Sequence, residues 1–192
     1  MMNKKFVVGI ITLVSAFTLA GCAGGNEEVA PKDEVTQNEN TETDHAGMDH
    51  SGSGEVPEGL KVAENPTYEV GSKAMIKDAH MEGMEGAEAT IVGAYDTTAY
   101  AISYDPTTGG ERVTNHKWII HEEIIDAGEE QFNVGSEVKV DAAHMEGMEG
   151  ATSTIDYAEK TTVYMINFTP TNGGEEVTNH KWVTESELAP VN

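Results

Sequence analysis

An internal duplication constrains the fold of this chain more than any other feature of its sequence. Comparing residue i with residue i+64 aligns two copies without a gap. Residues Ala79–Ala87 recur letter for letter as Ala143–Ala151, and Val113–Trp118 recurs as Val177–Trp182. A unit of this length is longer than the usual solenoid repeat. It therefore predicts two tandem domains, each near the lower size limit for independent folding.

The alternation of residue types within each copy indicates β-strands. A half-buried strand alternates apolar and polar residues because successive side chains point to opposite faces. The first copy alternates in this way over residues 98–104 and the second over residues 162–168. Pro106–Gly110 is a turn cluster, and Glu122–Ile125 and Glu185–Leu188 each suit a single helical turn. We therefore predict an all-β protein of two tandem small SH3-like barrels, with about five short strands each, after a disordered acidic tether.

Composition divides the chain into a leader, a tether and the two repeats. The 192 residues carry 11 Lys+Arg against 34 Asp+Glu, a net charge of −23. This charge argues against a nucleic-acid partner, because phosphate binding needs clustered cations. Residues 23–64 are polar and acidic without apolar periodicity, so we expect them to be disordered. The predicted segments are a signal peptide (1–21), an acylated cysteine with the acidic tether (22–64), the first repeat (65–128) and the second repeat (129–192).

The N-terminus has the pattern of a bacterial lipoprotein leader. Lys4 and Lys5 precede an apolar run, Phe6–Ala20, which suits a signal peptide and is short for a membrane span. The run leads into Leu-Ala-Gly-Cys, which resembles a lipobox with Cys22 as the acylated residue. The alternative is an ordinary secretory signal that happens to be followed by cysteine. With lipid on Cys22, we expect the protein to be anchored to the extracytoplasmic face of the cell membrane.

Methionine and histidine cluster in one Gly-rich loop of each repeat. Thioethers are soft, neutral ligands that favour Cu(I) over Mg²⁺, Ca²⁺ or Zn²⁺. The neighbouring glycines allow such a loop to bring its side chains together. The alternative is that the methionines fill gaps in a small core while the histidines are exposed. The six candidate metal ligands are His80, Met81 and Met84 in the first repeat and His144, Met145 and Met148 in the second.

Two further groups are weaker metal-ligand candidates. The tether carries His45, Met48 and His50 within six residues, which can wrap one soft or borderline metal ion. The alternative is a polar tether in which these residues occur by chance. His116 and His180 each precede a tryptophan by two residues on one strand face. The alternative interpretation of His116 and His180 is a structural one: each is a hydrogen-bonded histidine beside a tryptophan that anchors the core.

The sequence lacks the residue patterns typical of an enzyme. No Ser/His/Asp set stands out, and Cys22, the sole cysteine, is assigned to the lipid. The Gly-Gly pairs are not followed by the Lys-Ser/Thr of a phosphate-binding loop. We therefore expect a protein without catalytic activity.

The long paired motifs resemble one known family. Both copies contain His-Met-x-Gly-Met-x-Gly-Ala, Tyr-x-Ile-x-Tyr/Phe-x-Pro-Thr-x-Gly-Gly and Val-x-Asn-His-Lys-Trp. With the lipobox and the His/Met-bearing tether, they resemble the YdhK family of Gram-positive lipoproteins, closely over residues 65–192. One branch of that family is CopL, a staphylococcal copper-resistance lipoprotein. The resemblance therefore implies copper binding at the cell surface, without implying which residues are the ligands.

These observations lead to one functional prediction and two alternatives. We predict a membrane-anchored, extracellular, monomeric lipoprotein that buffers or sequesters copper, with Cu(I) as the favoured state. A copper exporter is its candidate protein partner. The first alternative is a cell-wall or protein-interaction module of SH3-like type that needs no metal. The second alternative is a structural spacer.

Overall fold

The computed structural model describes residues 51–78 and 80–191, and these residues form an all-β structure, as predicted. Two 3₁₀ turns, His121–Glu123 and Glu185–Glu187, lie where the sequence predicts single helical turns. Within the described ranges, no helix is long and apolar enough to cross a membrane. The strands are β1 (Lys61–Val62), β2 (Lys73–Ile76), β3 (Glu88–Tyr104), β4 (Val113–Ile120), β5 (Glu137–Lys139), β6 (Thr152–Phe168), β7 (Val177–Thr184) and β8 (Leu188–Pro190).

The two longest strands, β3 of the first repeat and β6 of the second, pair with each other along their whole length. The pairing is antiparallel, and Thr97 lies opposite Thr161, its own counterpart 64 residues later. A pseudo-two-fold axis therefore passes through this pair and relates the repeats. The pairing register shifts once on each side of the axis, leaving Val92 as the extra residue on β3 and Asp156 on β6. These two residues are also repeat counterparts, so the irregularity belongs to the repeat itself.

Because β3 and β6 pair in this way, each hydrophobic core combines both repeats. The first core contains buried residues from 63–94 of the first repeat and from 164–188 of the second. The second core contains buried residues from 100–124 and from 138–155. We call these lobe 1 and lobe 2. In lobe 1, β8 of the second repeat also pairs with β2 of the first. The sequence predicted the strands and the duplication, and the structure adds that the repeats exchange halves.

A third hydrophobic group, the central cluster, lies between the two tryptophans of the duplicated motif. Trp118 from β4 and Trp182 from β7 are 4% and 0% exposed, and they share this cluster with buried residues of β3 and β6. The peptide bonds before both tryptophans are cis. The tryptophans are thus core anchors that belong to neither lobe alone.

The last part of the predicted tether is packed against the repeats. Strand β1 pairs with Tyr95 and Asp96 of β3, and Leu60 packs on the central cluster. The Gly52 N–H donates to the Thr178 carbonyl of β7 at 2.8 Å. The tether therefore ends earlier than its composition indicated, because hydrogen bonds to a strand edge and one apolar anchor are enough to dock a polar segment. Residues 1–50, including the predicted signal peptide, lie outside the described residues.

The exchanged halves predict that a single repeat does not fold by itself as a monomer. Residues 129–192 contain the second-repeat parts of both lobes and lack the first-repeat parts, so their apolar faces stay uncovered. We expect this fragment to be unfolded, or to associate with a second copy that supplies the missing strands. Circular dichroism and light scattering after size-exclusion chromatography, with residues 51–192 as the folded control, measure this. A folded monomer of residues 129–192 would contradict the prediction.

Candidate functional site

A buried carboxylate, Glu187, organises the polar group at the edge of lobe 1. It is 2% exposed and lies in the second 3₁₀ turn. Its Oε2 accepts hydrogen bonds from the Thr184 backbone N–H at 2.9 Å, the Thr184 hydroxyl at 3.0 Å and the Trp118 indole N–H at 2.8 Å. Trp118 belongs to the first repeat, so this bond joins the two repeats. A charged group at this depth is stabilised because three donors point at one of its oxygens.

The pKa of Glu187 is lowered by these surroundings. Burial by itself raises the pKa, because it penalises the charged form. The nearby imidazole of His80, with the hydrogen-bond donors of Thr184 and Trp118, outweighs burial and holds the pKa below its usual value. Glu187 is therefore an anion at neutral pH.

Two histidines from different repeats meet beside Glu187. His80 belongs to the loop between β2 and β3, and His180 lies on β7. Their Nε2 atoms are 3.3 Å apart and share a hydrogen bond in which the protonated Nε2 is the donor, and the two rings are stacked with an angle of 25° between their planes. His80 Nδ1 lies 3.5 Å from Glu187 Oε1, and His180 packs edge-to-face on Phe168 of the lobe 1 core. The structure thus joins a histidine of the His/Met loop to a histidine of the Trp motif.

The pseudo-symmetric position in lobe 2 has the same carboxylate and a different histidine arrangement. Glu123 Oε2 accepts the Trp182 indole N–H at 3.1 Å and the Ile120 backbone N–H at 3.0 Å. His144 Nε2 lies 2.8 Å from Glu123 Oε1. The counterpart of His180 is His116, which packs edge-to-face on Tyr104 at a ring distance of 6.3 Å. His144 therefore turns Nε2 toward its carboxylate, whereas His80 turns Nε2 toward a second histidine.

The methionines of the two loops divide into two classes. Met84 and Met148 are fully buried, in the cores of lobes 1 and 2. Met81 and Met145 are partly buried and pack against the same cores. The burial of Met84 and Met148 favours the alternative in which these side chains fill a small core. The accessible thioethers of the loops are those of Met81 and Met145.

Each His/Met loop is shaped by the Pro-Thr turn of the other repeat. The Gly83 carbonyl accepts the Thr171 N–H at 2.9 Å, and the Gly147 carbonyl accepts the Thr107 N–H at 2.9 Å. Gly83 has a φ of 81°, and a Cβ placed there would lie 2.6 Å from the Asn172 side chain. A glycine is therefore needed both for its backbone angle and for the close contact.

Three polar residues near the site, His121, Glu123 and Glu187, were not candidates on sequence alone. His121 bonds the Tyr100 hydroxyl at 3.0 Å and the Gly128 carbonyl at 2.8 Å, which agrees with its absence from the duplicated pattern. The sequence analysis did not select Glu123 and Glu187 as site residues. The sequence did contain a signal for these two carboxylates, because the same glutamate recurs in both copies, in a short turn directly before an aliphatic residue. The weaker candidates His45, Met48 and His50, and the lipidation candidate Cys22, lie outside the described residues.

The structure brings two imidazoles of lobe 1 together, those of His80 and His180. In the described residues, no group of three or more His, Cys, Asp or Glu is arranged to hold a metal ion. Two nitrogens that bind one metal at about 2.0 Å with a tetrahedral angle lie about 3.3 Å apart. The His80–His180 pair has this separation. Met81, the partly buried thioether next to His80 in the chain, is the candidate third ligand.

The fold and these sites define a class: tandem-repeat, all-β proteins in which the repeats exchange halves around two buried Trp–Glu pairs. The family model "Protein of unknown function (DUF1541)" matches residues 70–121 and 134–185, once in each repeat. The uncharacterized protein YdhK of Bacillus subtilis is 53% identical over 186 residues, which is 97% of this chain and 89% of that protein. The chain therefore belongs to the DUF1541 family, to which YdhK also belongs, as the sequence resemblance predicted.

Solved structures from the same family show similarity over the repeat region. A crystal structure of ydhK from Bacillus subtilis has 60% sequence identity and a TM-score of 0.73, covering 77% of this chain and all of that one. A solution NMR structure of the ydhK C-terminal domain has 60% identity and a TM-score of 0.61, covering 64% of this chain and 92% of that one.

The environment of Glu187 predicts a pH-dependent contribution to stability. A carboxyl whose pKa is lowered on folding stabilises the protein above its ordinary pKa of 4.5, and this contribution is lost as pH falls through the folded value. In Glu187→Gln, we expect unfolding at pH 7 to cost about 1–3 kcal/mol less, because the indole loses a charged acceptor. We also expect a weaker dependence of stability on pH below about 4.5. Urea unfolding at several pH values measures both effects, and an unchanged acid slope would contradict the assignment.

Proposed function

We propose that this protein binds copper through the His80–His180 pair, with the thioether of Met81 as the third ligand. The observation that carries the proposal is the 3.3 Å separation of the two Nε2 atoms, which matches two ligands of one metal ion. Two imidazoles with a thioether suit Cu(I) better than Mg²⁺ or Ca²⁺, which take oxygen ligands. When bound, copper would be the cargo of the protein rather than a catalyst.

Glu187 lies next to His80 on the Nδ1 side of the ring and can orient this imidazole for metal binding. A histidine that binds metal through Nε2 carries its proton on Nδ1. His80 Nδ1 lies 3.5 Å from Glu187 Oε1, and that oxygen has no hydrogen bond among the described residues. A small rotation of the ring would allow Nδ1–H to donate to this carboxylate, which would orient the imidazole and increase its basicity. Glu187 therefore acts as a positioning residue in the proposed site.

In lobe 2 the second proposed site needs a rearrangement. His144 Nε2 is occupied by Glu123 at 2.8 Å, and His144 Nδ1 is buried without a hydrogen bond among the described residues. A different His144 side-chain rotamer, with Nδ1 toward Glu123 and Nε2 toward His116, would recreate the lobe 1 arrangement. We therefore propose that lobe 1 binds copper first and that lobe 2, with His144, Met145 and His116, binds more weakly.

The proposed cellular role is a copper buffer held at the outer face of the membrane by lipid on Cys22. The support for it is the lipobox, the acidic surface and the family resemblance. The tether residues His45, Met48 and His50 remain predicted auxiliary ligands. A copper exporter remains the proposed recipient, and absence of enzymatic activity remains an expectation.

Copper titration tests the site directly. We expect His80→Ala combined with His180→Ala to weaken Cu(I) binding in lobe 1 at least about tenfold, because removal of ligands or their supporting groups typically costs this much or more. The measurement is competition with a Cu(I) chelator, using residues 23–192.

Met81→Leu should also weaken Cu(I) binding, whereas Met84→Leu is a matched variant in which the buried thioether is replaced by a side chain of similar volume. Equal loss in both methionine variants would make Met84 a ligand, as the sequence predicted.

Thermal unfolding separates copper binding from the two alternatives. A ligand that binds only the folded state raises the melting midpoint. We expect Cu(I) to raise it more in the native sequence than in the double histidine variant, which keeps only the weaker lobe 2 site. Retention on purified peptidoglycan without metal would instead favour the cell-wall module, and no response to either ligand would favour the structural spacer.

Lipidation of Cys22 has its own test. We expect Cys22→Ser to move the protein from the membrane fraction to the soluble extracellular fraction, because the anchoring chains cannot be attached. Immunoblotting of fractionated cells and mass spectrometry of the mature N-terminus measure this. A variant that stays with the membrane would contradict the lipid anchor and would leave the copper proposal intact.

A further inference from the structure

The segment before the first repeat is a peptide docked on the edge of β7. Besides the Gly52 bond to Thr178, the Thr178 N–H donates to Ser51 Oγ at 3.1 Å. The Asn179 side-chain amide donates to the Gly52 carbonyl at 3.2 Å, and the Lys181 ammonium donates to the Glu55 carbonyl. Strand β7 therefore binds this segment mainly through the backbone of the segment. Its sequence is restricted most clearly at one position, Gly52. A Cβ on Gly52 would lie 2.6 Å from the Asn179 carbonyl oxygen, so that position must be glycine.

Strand β4 repeats the same docking residues with no segment on them. Thr114, Asn115 and Lys117 are the counterparts of the three β7 residues, in an identical six-residue motif. In the described part of the chain, β4 pairs only with β3. Thr114 and Asn115 are exposed, whereas their β7 counterparts are half-buried. The reason lies in the chain order: the residues equivalent to 51–60 before the second repeat are 115–124, which belong to β4 and its 3₁₀ turn and cannot dock on β4.

A groove with an aromatic wall lies beside β4. Its volume is about 310 Å³, and Asn115, Lys117, Trp118 and Tyr157 contribute to its lining. Tyr157 is 47% exposed and lies 6.0 Å from the Trp118 ring, much as Tyr95 lies 5.8 Å from Trp182 on the covered face. The open groove therefore offers both the hydrogen-bonding edge and an aromatic surface for an apolar anchor such as Leu60.

The charge of the open groove differs from that of the covered face. Asp78 and Glu159 line the groove, and their counterparts on the covered face are Ala142 and Tyr95. Lys117 lies over the Trp118 ring at 5.1 Å and 3.9 Å from Glu187. Ser186 also lines the groove, and its counterpart is Glu122, so the groove carries one acid more than the covered face. This additional acid favours an occupant with a basic side chain, whereas the chain's own docked segment carries Glu55 and Glu58.

We propose that the β4 groove binds an extended, glycine-containing segment of a partner protein that carries a lysine or arginine close to the glycine. The mode is the one that residues 51–60 use on β7: backbone hydrogen bonds to Thr114 and Asn115, a carbonyl on Lys117 and an apolar anchor over the aromatic wall. The proposed hydrogen bonds to Thr114 and Asn115 involve none of the proposed copper ligands, although Glu187, which lies beside His80, also lines the groove.

A synthetic peptide tests this interaction. The probe is residues 51–60 with Glu55→Lys and Glu58→Lys, added to ¹⁵N-labelled residues 23–192, which contain the whole described unit. The chain's own segment occupies β7 at high effective concentration, so the added peptide is directed to β4. We expect amide shifts concentrated at residues 113–118. The same peptide with valine in place of the glycine equivalent to Gly52 should cause no such shifts.

Matched asparagine variants complete the experiment. Asn115→Asp keeps a residue that tolerates the positive φ of 50° but replaces the amide donor by a carboxylate, so we expect affinity to fall about tenfold. Asn179→Asp makes the same change on β7 and should leave the affinity for β4 unchanged. Shifts confined to β7, displacement of the chain's own segment, self-association in place of peptide binding, or no shifts at all would each overturn the proposal.

Discussion

The antiparallel pairing of β3 with β6 is the interaction on which the rest of the structure depends. Since Thr97 faces its own counterpart Thr161, the second half of each long strand extends into the region where the other repeat begins. Each lobe must then be completed by strands of both repeats. Fifteen residue pairs are aligned along this ladder, so the backbone joins the two repeats as well as the shared cores. The two repeats consequently form one cooperative unit, although each has the length of a small domain.

The same exchange creates the polar sites. Trp118 donates to Glu187 and Trp182 donates to Glu123, so each buried carboxylate accepts a hydrogen bond from the other repeat. The histidine beside each carboxylate is held in the same way, because its loop is bonded to the Pro-Thr turn of the other repeat. A buried anion is tolerated only where such donors are fixed in place. Stability of the fold and geometry of the candidate site therefore rest on the same contacts, and substitutions at the carboxylates affect both.

Pseudo-symmetry makes the differences between the copies informative. In lobe 1 His80 meets His180, whereas in lobe 2 His144 bonds Glu123 directly. The two strand edges differ as well, since residues 51–55 cover β7, whereas among the described residues no segment covers β4. The second difference follows from chain order alone, because only the first repeat has a separate segment before it. A duplicated protein can thus keep one copy of a surface for its own packing and leave the other for a partner.

The sequence by itself determined the repeat, the β-strands, the two helical turns and the residues that recur in both copies. These follow from local chemistry: period-two alternation specifies strands, and Gly and Pro-Thr clusters specify turns. It also selected His80 and His180, as separate candidates in different motifs. Only the tertiary structure decided that these two meet, that Met84 is buried and that Glu187 lies behind the pair. Contacts between residues about 100 positions apart depend on which strands pair, and identical repeats can pair within a copy or between copies with the same local pattern.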